Sequence, residues 1–266
     1  MNELDLLEQQ AVDAAIKLRW KDALEINKKI LSLDKKNLAG HLRLGYTYWQ
    51  LEKLNEAEKY YNKAIRLQPA NQLAKENLER IKVLQLRGNK KSNNYGNSVN
   101  LDPNLFIDSP ARTKSVRLIN LGQKNNLAQL MIGQEVALKQ KKRRIEVRTK
   151  NEDYIGSLPD DLSKRLILFI KAGSQYSAFV KEVELNRIVV FIREEKKGRK
   201  VLHYPSFPKD ASDNLMKMQT ADESGESDDE ELVENDLEKL AEALASEEKD
   251  YLPFASDDEN PDEEEE

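Results

Sequence analysis

The feature that most limits what this chain can become is a spacing of small and aromatic residues that recurs after 34 positions. Leu44-Gly45, Tyr48, Ala57, Tyr61, Ala64 and Pro69 form one set, and 34 positions earlier stand Ala11, Ala14, Ala23 and Ile30, with Trp20 among them. The residue types have a steric logic. Gly45 and Ala57 let the two helices of a hairpin approach closely, while Tyr48 and Tyr61 fill the space between them. Pro69 lacks the amide hydrogen needed to continue a helix and so ends the second one. The chain is therefore expected to open with helices near 3–18, 21–33, 37–51 and 54–67. A fifth, near 72–87, carries Leu73, Leu78, Ile81 and Leu84 on one stripe and meets Gly88, a common helix C-cap residue.

This pattern resembles the tetratricopeptide repeat (TPR) family. The second repeat carries the resemblance fully; the first carries it through its small residues, with Lys35 where a terminal proline would stand. The resemblance implies stacked hairpins, a fifth helix covering the open end, and a concave protein-binding face. The family's concave positions fall on Asp5, Glu8, Val12 and Ala15 in the first repeat and on Ala39, Leu42, Tyr46 and Trp49 in the second. The Lys/Asn set that clamps peptide carboxylates in chaperone-binding members is missing from them. The implied groove, with Leu42, Tyr46, Trp49, Glu8 and Val12, suits an apolar or amphipathic segment of a partner protein. The alternative is that Leu42, Tyr46 and Trp49 pack beneath the chain's own second module or fifth helix. Two repeats are fewer than the three or so that stand alone, so a docked module, or self-association into a homo-oligomer, must complete the cover.

Residues 88–104, GNKKSNNYGNSVNLDPN, read as a linker. Beyond it the periodicity changes. Val116–Ile119, Glu135–Leu138, Arg144–Arg148 and Tyr154–Gly156 read as short strands, and 159–171 as a helix opened by a proline and two aspartates. Ser174–Val183 and Arg187–Arg193 read as a hairpin turning at Leu185-Asn186. The order G-x-x-V-x-L (133–138), I-x-V (145–147), Y-I-G-x-L-P (154–159) and G-x-x-Y-x-A-x-V (173–180) resembles the HIRAN domain across residues 115–193. That family is a small β-barrel that binds single-stranded DNA ends in some helicase-like proteins. Where its sequences carry a Glu-Pro…Asn…Asp-x-x-Ala-Ile stretch this chain reads KQKKRRIEV, so the resemblance implies the barrel rather than the DNA-end pocket.

That departing stretch is basic. Lys139, Lys141, Lys142, Arg143, Arg144, Arg148 and Lys150 place seven cations against Glu146 within twelve residues. On a strand Arg144 and Arg148 share one face and Ile145 and Val147 the other, which would present a positive ridge to phosphates. The competing reading is a solvated hairpin tip, since only Tyr154 and Tyr176 are near to stack on bases. The charge is also uneven along the chain. Residues 209–266 hold 24 Asp and Glu against 4 Lys, whereas the first 208 residues carry a net charge of +15. Such a tail has the composition of a disordered segment; it can screen the basic body or simply keep the chain in solution. Within it Leu232, Val233, Leu237, Leu240, Ala241 and Leu244 recur at helical spacing, a possible helix near 229–247, and Tyr251-Leu-Pro-Phe254 forms a short cluster; both could fold on a partner.

Absent features narrow the classes further. The chain has no cysteine, so disulfides and thiolate metal sites are excluded. No run nears the roughly 18 apolar residues of a membrane span, and the acidic start lacks the order of a signal peptide, which points to a cytoplasmic protein away from membranes. His41 sits in a repeat helix and His203 in VLHYPSFP without triad or metal spacing. Asp153 and Asp160-Asp161 fit turn and helix-cap chemistry. The expected fold is α+β: TPR hairpins with a capping helix in 1–87, a small β-rich module with one helix in 105–208, and an acidic tail from 209. The expected role is a non-enzymatic scaffold or adaptor without a cofactor; the alternative is a factor that binds single-stranded DNA or RNA through the basic β module, regulated by the tail.

Overall fold

The computed structural model describes residues 3–86 and 102–208. The acidic tail, most of the 88–104 linker and Gly88 lie outside the described residues. Five helices come first: α1 (Glu3–Ile16), α2 (Trp20–Leu33), α3 (Leu38–Gln50), α4 (Leu54–Leu67) and α5 (Gln72–Leu86). Each packs on the next in sequence, as the repeat spacing requires. Ala11, Ala14, Ala23, Ala57 and Ala64 are fully buried, which sets how closely the helices approach. Gly45 is the tightest point: a Cβ there would lie 2.9 Å from two ring carbons of Tyr61, a side chain only 1% exposed. Asn37 caps α3 by accepting from the Gly40 amide at 2.7 Å, and Asn71 caps α5 by accepting from the Ala74 amide at 2.8 Å. Helix α4 stops at Leu67, two residues before Pro69.

The second body is a curled, wholly antiparallel sheet with strands β1 (Thr113–Arg117), β2 (Glu135–Gln140), β3 (Ile145–Arg148), β4 (Tyr154–Ser157), β5 (Gln175–Glu184) and β6 (Arg187–Lys196). Their order across the sheet is β1-β6-β5-β2-β3-β4. The curl is strong enough for the chain just past β1 to reach the far edge, where Ile119 and Ser157 exchange hydrogen bonds of 2.9 and 2.8 Å. Helix α6 (Lys124–Leu127) follows that crossing and helix α7 (Asp160–Lys171) follows β4. Val147, Ile155, Leu158, Leu166, Val180, Ile188, Val190 and Ile192 fill the interior.

Most expected elements are present, and the Leu185-Asn186 turn is confirmed by the Glu184–Arg187 pairing. The first strand is a correction: it runs Thr113–Arg117 rather than Val116–Ile119, because the chain leaves β6 after Leu118 to bridge β4. Asp160 and Asp161 lie in the first turn of α7, where the helix dipole favours them, but no side chain caps that helix. Two elements had no sequence signal, α6 and a strap at 199–207 that packs on α7 and β6. In the strap Ser206 donates to the buried Glu194 carboxylate, and Tyr176 and Ser206 hydroxyls meet at 2.7 Å. Among the described residues no helix is long and apolar enough to cross a membrane.

The two bodies touch. Arg80 of α5, 6% exposed, donates through Nη2 to the carbonyls of Ala128, at 3.2 Å, and of Leu130. Ala128 and Leu185 join the apolar cluster of the helices, and the Gln50 amide lies 3.8 Å from the Met131 sulfur. The loop after α6 thus supplies part of the cover that two repeats lack.

Candidate functional site

Between α1, α3 and α5 lies a cavity of about 270 Å³, lined in part by Leu42, Tyr46, Tyr61, Leu73, Arg80 and Ile132. Helix periodicity aims these residues together. Leu42 and Tyr46 are one turn apart on α3, and Leu73 and Arg80 are two turns apart on α5. Tyr46 in the wall is braced by two rings behind it: Trp20 meets Tyr46 edge-on at 5.8 Å, Tyr46 meets Trp49 at 6.2 Å, and the Arg80 guanidinium lies 4.4 Å over the Trp49 ring.

The expected groove residues divide between lip, wall and core. Tyr46 is 40% and Val12 41% exposed, and Leu42 is half-buried in the cavity wall. Trp49, only 3% exposed, lies behind the surface as a platform for Arg80. Glu8 ties α1 to α3, accepting from Asn37 at 3.0 Å and pairing with Arg43 at 3.1 Å. Leu73 (55% exposed) and Ile132 (51%) extend the apolar lip beyond what the repeat pattern names. Ile132 comes from the β module, 52 or more residues along the chain from the helix residues that line the cavity with it, so no local signal could have found it. Arg80 could have been found, because it shares the Leu73 stripe at a spacing of seven.

The floor of the cavity is polar and incompletely satisfied. The Tyr61 hydroxyl and Arg80 Nε are buried without a hydrogen-bond partner among the described residues. Burial pushes the Tyr61 and Tyr46 hydroxyls above the ordinary tyrosine range, and it brings the Arg80 guanidinium down to about 10, opposed by the facing tyrosines. The Arg80 cation has no carboxylate at ion-pair distance among the described residues; its partners are carbonyls and a ring face.

The basic stretch is laid out differently from a uniform ridge. Arg144 and Arg148 do share a face, and there both grip Glu146, at 3.0 and 2.8 Å. Those two guanidiniums, Arg148 foremost, hold the Glu146 carboxyl below its usual range. Lys139 pairs with Glu152 at 2.8 Å and Lys150 with Glu135 at 2.7 Å. Lys141, Lys142 and Arg143 are left at the exposed turn between β2 and β3 with no ion-pair partner among the described residues. A more polar cleft of about 410 Å³ lies beside this hairpin, and its charged groups are engaged, Lys150 with Glu135 and Asp153 with Thr149 at 3.3 Å. His41 is buried with Nε2 3.1 Å from the Lys35 carbonyl, and His203 is exposed on the strap.

No curated protein matches this chain. Residues 39–71, the span of α3, α4 and the turn into α5, match the family described as tetratricopeptide repeat, so the hairpin that builds the groove wall is a TPR segment.

Proposed function

We propose that the chain is a non-enzymatic adaptor that holds a segment of a partner protein in the groove between α1, α3 and α5. The observation that carries this reading is the lip of that groove, where Tyr46, Leu73 and Ile132 stand 40 to 55% exposed around one cavity. Single exposed apolar residues are ordinary; several converging on a cavity mark a binding surface. The TPR match supports a protein-interaction role in general. The test is recovery of partner proteins by the wild-type chain and by a Tyr46→Ser, Leu73→Asp double variant. Loss of these two contacts should cut recovery about tenfold or more, at an unchanged melting temperature. Equal recovery by a folded double variant would remove the groove from the reading.

A second reading rests on the turn at Lys141, Lys142 and Arg143, which offers three exposed cations to a single-stranded nucleic acid. The carboxylates that engage the other four cations make this the smaller surface.

A further inference from the structure

The groove asks for a ligand of particular chemistry. Its two unpartnered polar groups, the Tyr61 hydroxyl and Arg80 Nε, can both donate, and Arg80 adds a buried positive charge without a paired carboxylate among the described residues. The direct contacts of Arg80 are carbonyls and a ring face, with Glu76 acting on it only from beyond ion-pair distance, and a buried cation so placed gains from an anionic acceptor. The lip around these donors is apolar. The fitting ligand is therefore an amphipathic segment with carboxylates set among its apolar residues.

The chain contains such a segment. Residues 231–245 read ELVENDLEKLAEALA, with Leu232, Leu237, Leu240 and Leu244 at helical spacing and acidic residues between them. The region that holds it, residues 209–266, has 24 Asp and Glu against 4 Lys, opposite in sign to the body's net +15. The described residues end at Pro208, and the 22 residues from 209 to 230 can span about 70 Å when extended. A body of this size is only about 35–45 Å across, so the segment reaches any face, and its tether keeps it at roughly millimolar local concentration. We propose that residues 231–245 of this same chain occupy the groove, with their leucines against Tyr46, Leu73 and Ile132 and a carboxylate at Tyr61 and Arg80. The inference rests on the groove being a protein-segment site; it adds a resident that an incoming partner must displace.

The chain has no cysteine, so one can be introduced cleanly in the full-length protein. A spin label on Ser246→Cys should strip most of the amide signal intensity from Tyr46, Leu73 and Ile132. The loss should persist on tenfold dilution and vanish when Leu237→Asp and Leu240→Asp are added, changes that leave the folded body untouched. Intensity loss that fades on dilution would assign the groove to a second copy's tail and overturn the proposal. So would loss confined to Lys141–Arg143, or no loss at the groove. Partner recovery is a separate readout: a tail that does not dock leaves the dependence on Tyr46 and Leu73 intact, whereas equal recovery by that double variant sinks the adaptor reading itself.

Discussion

At Gly45 a single hydrogen atom in place of a methyl group decides how closely α3 and α4 approach. The Tyr61 ring fills the space a side chain would need, 2.9 Å from where a Cβ would sit, and that ring is too deeply packed to swing aside. Gly45→Ala improves local helix propensity by up to about 1 kcal/mol, yet it overpacks a rigid contact, which costs about 1–3 kcal/mol. The net expectation is a lower urea midpoint at unchanged slope. A midpoint equal to or above wild type would mean that Tyr61 is freer than its burial implies. Legibility at this scale follows from physics that acts over short distances. Gly45, Ala57, Ala64 and their earlier counterparts were readable because close helix approach leaves a fixed spacing in the sequence. The Tyr61 hydroxyl was not, since a buried tyrosine and an orphaned donor look alike until the surrounding walls are known.

Element by element, the helices and the β5–β6 hairpin were readable from periodicity and turn residues, while α6 and the 199–207 strap were not. A four-residue helix is too short to show a period, and the strap is held by Ser206, Glu194 and Tyr176, whose meeting depends on the curl of the sheet. The β2–β3 element shows the same limit for charge. Sequence counts seven cations; the fold engages four of them with Glu135, Glu146 and Glu152 and leaves three at the turn. The two arrangements differ in a measurable slope. Single-stranded nucleic acid releases counterions so that log affinity falls about 0.7 per log unit of salt for each phosphate engaged, which gives about −2 for three cations and about −5 for seven. Binding of a short oligothymidylate to the full chain is expected to follow the shallower slope and to disappear in a Lys141→Glu, Lys142→Glu, Arg143→Glu variant. A slope near −5 would show that the internal ion pairs open on binding. Binding that survives the triple variant would remove the turn from the reading.

On the scale of the whole molecule, the junction between the two bodies is narrow and depends on α5. Arg80 reaches across to Ala128 and Leu130, and Ala128 and Leu185 enter the apolar cluster of the helices. Neither partner of that junction could have been paired from sequence, because about 50 residues separate them and neither carries a motif. The expectation is that these contacts hold the halves together without the polypeptide link. A chain cut once between residues 86 and 102 should therefore behave as a split protein: the two pieces, expressed separately and mixed, should re-form a single particle that elutes with the uncut chain. An Arg80→Met change should make the same pieces elute apart, while pieces that never co-elute would show that covalent tethering alone keeps the halves in register.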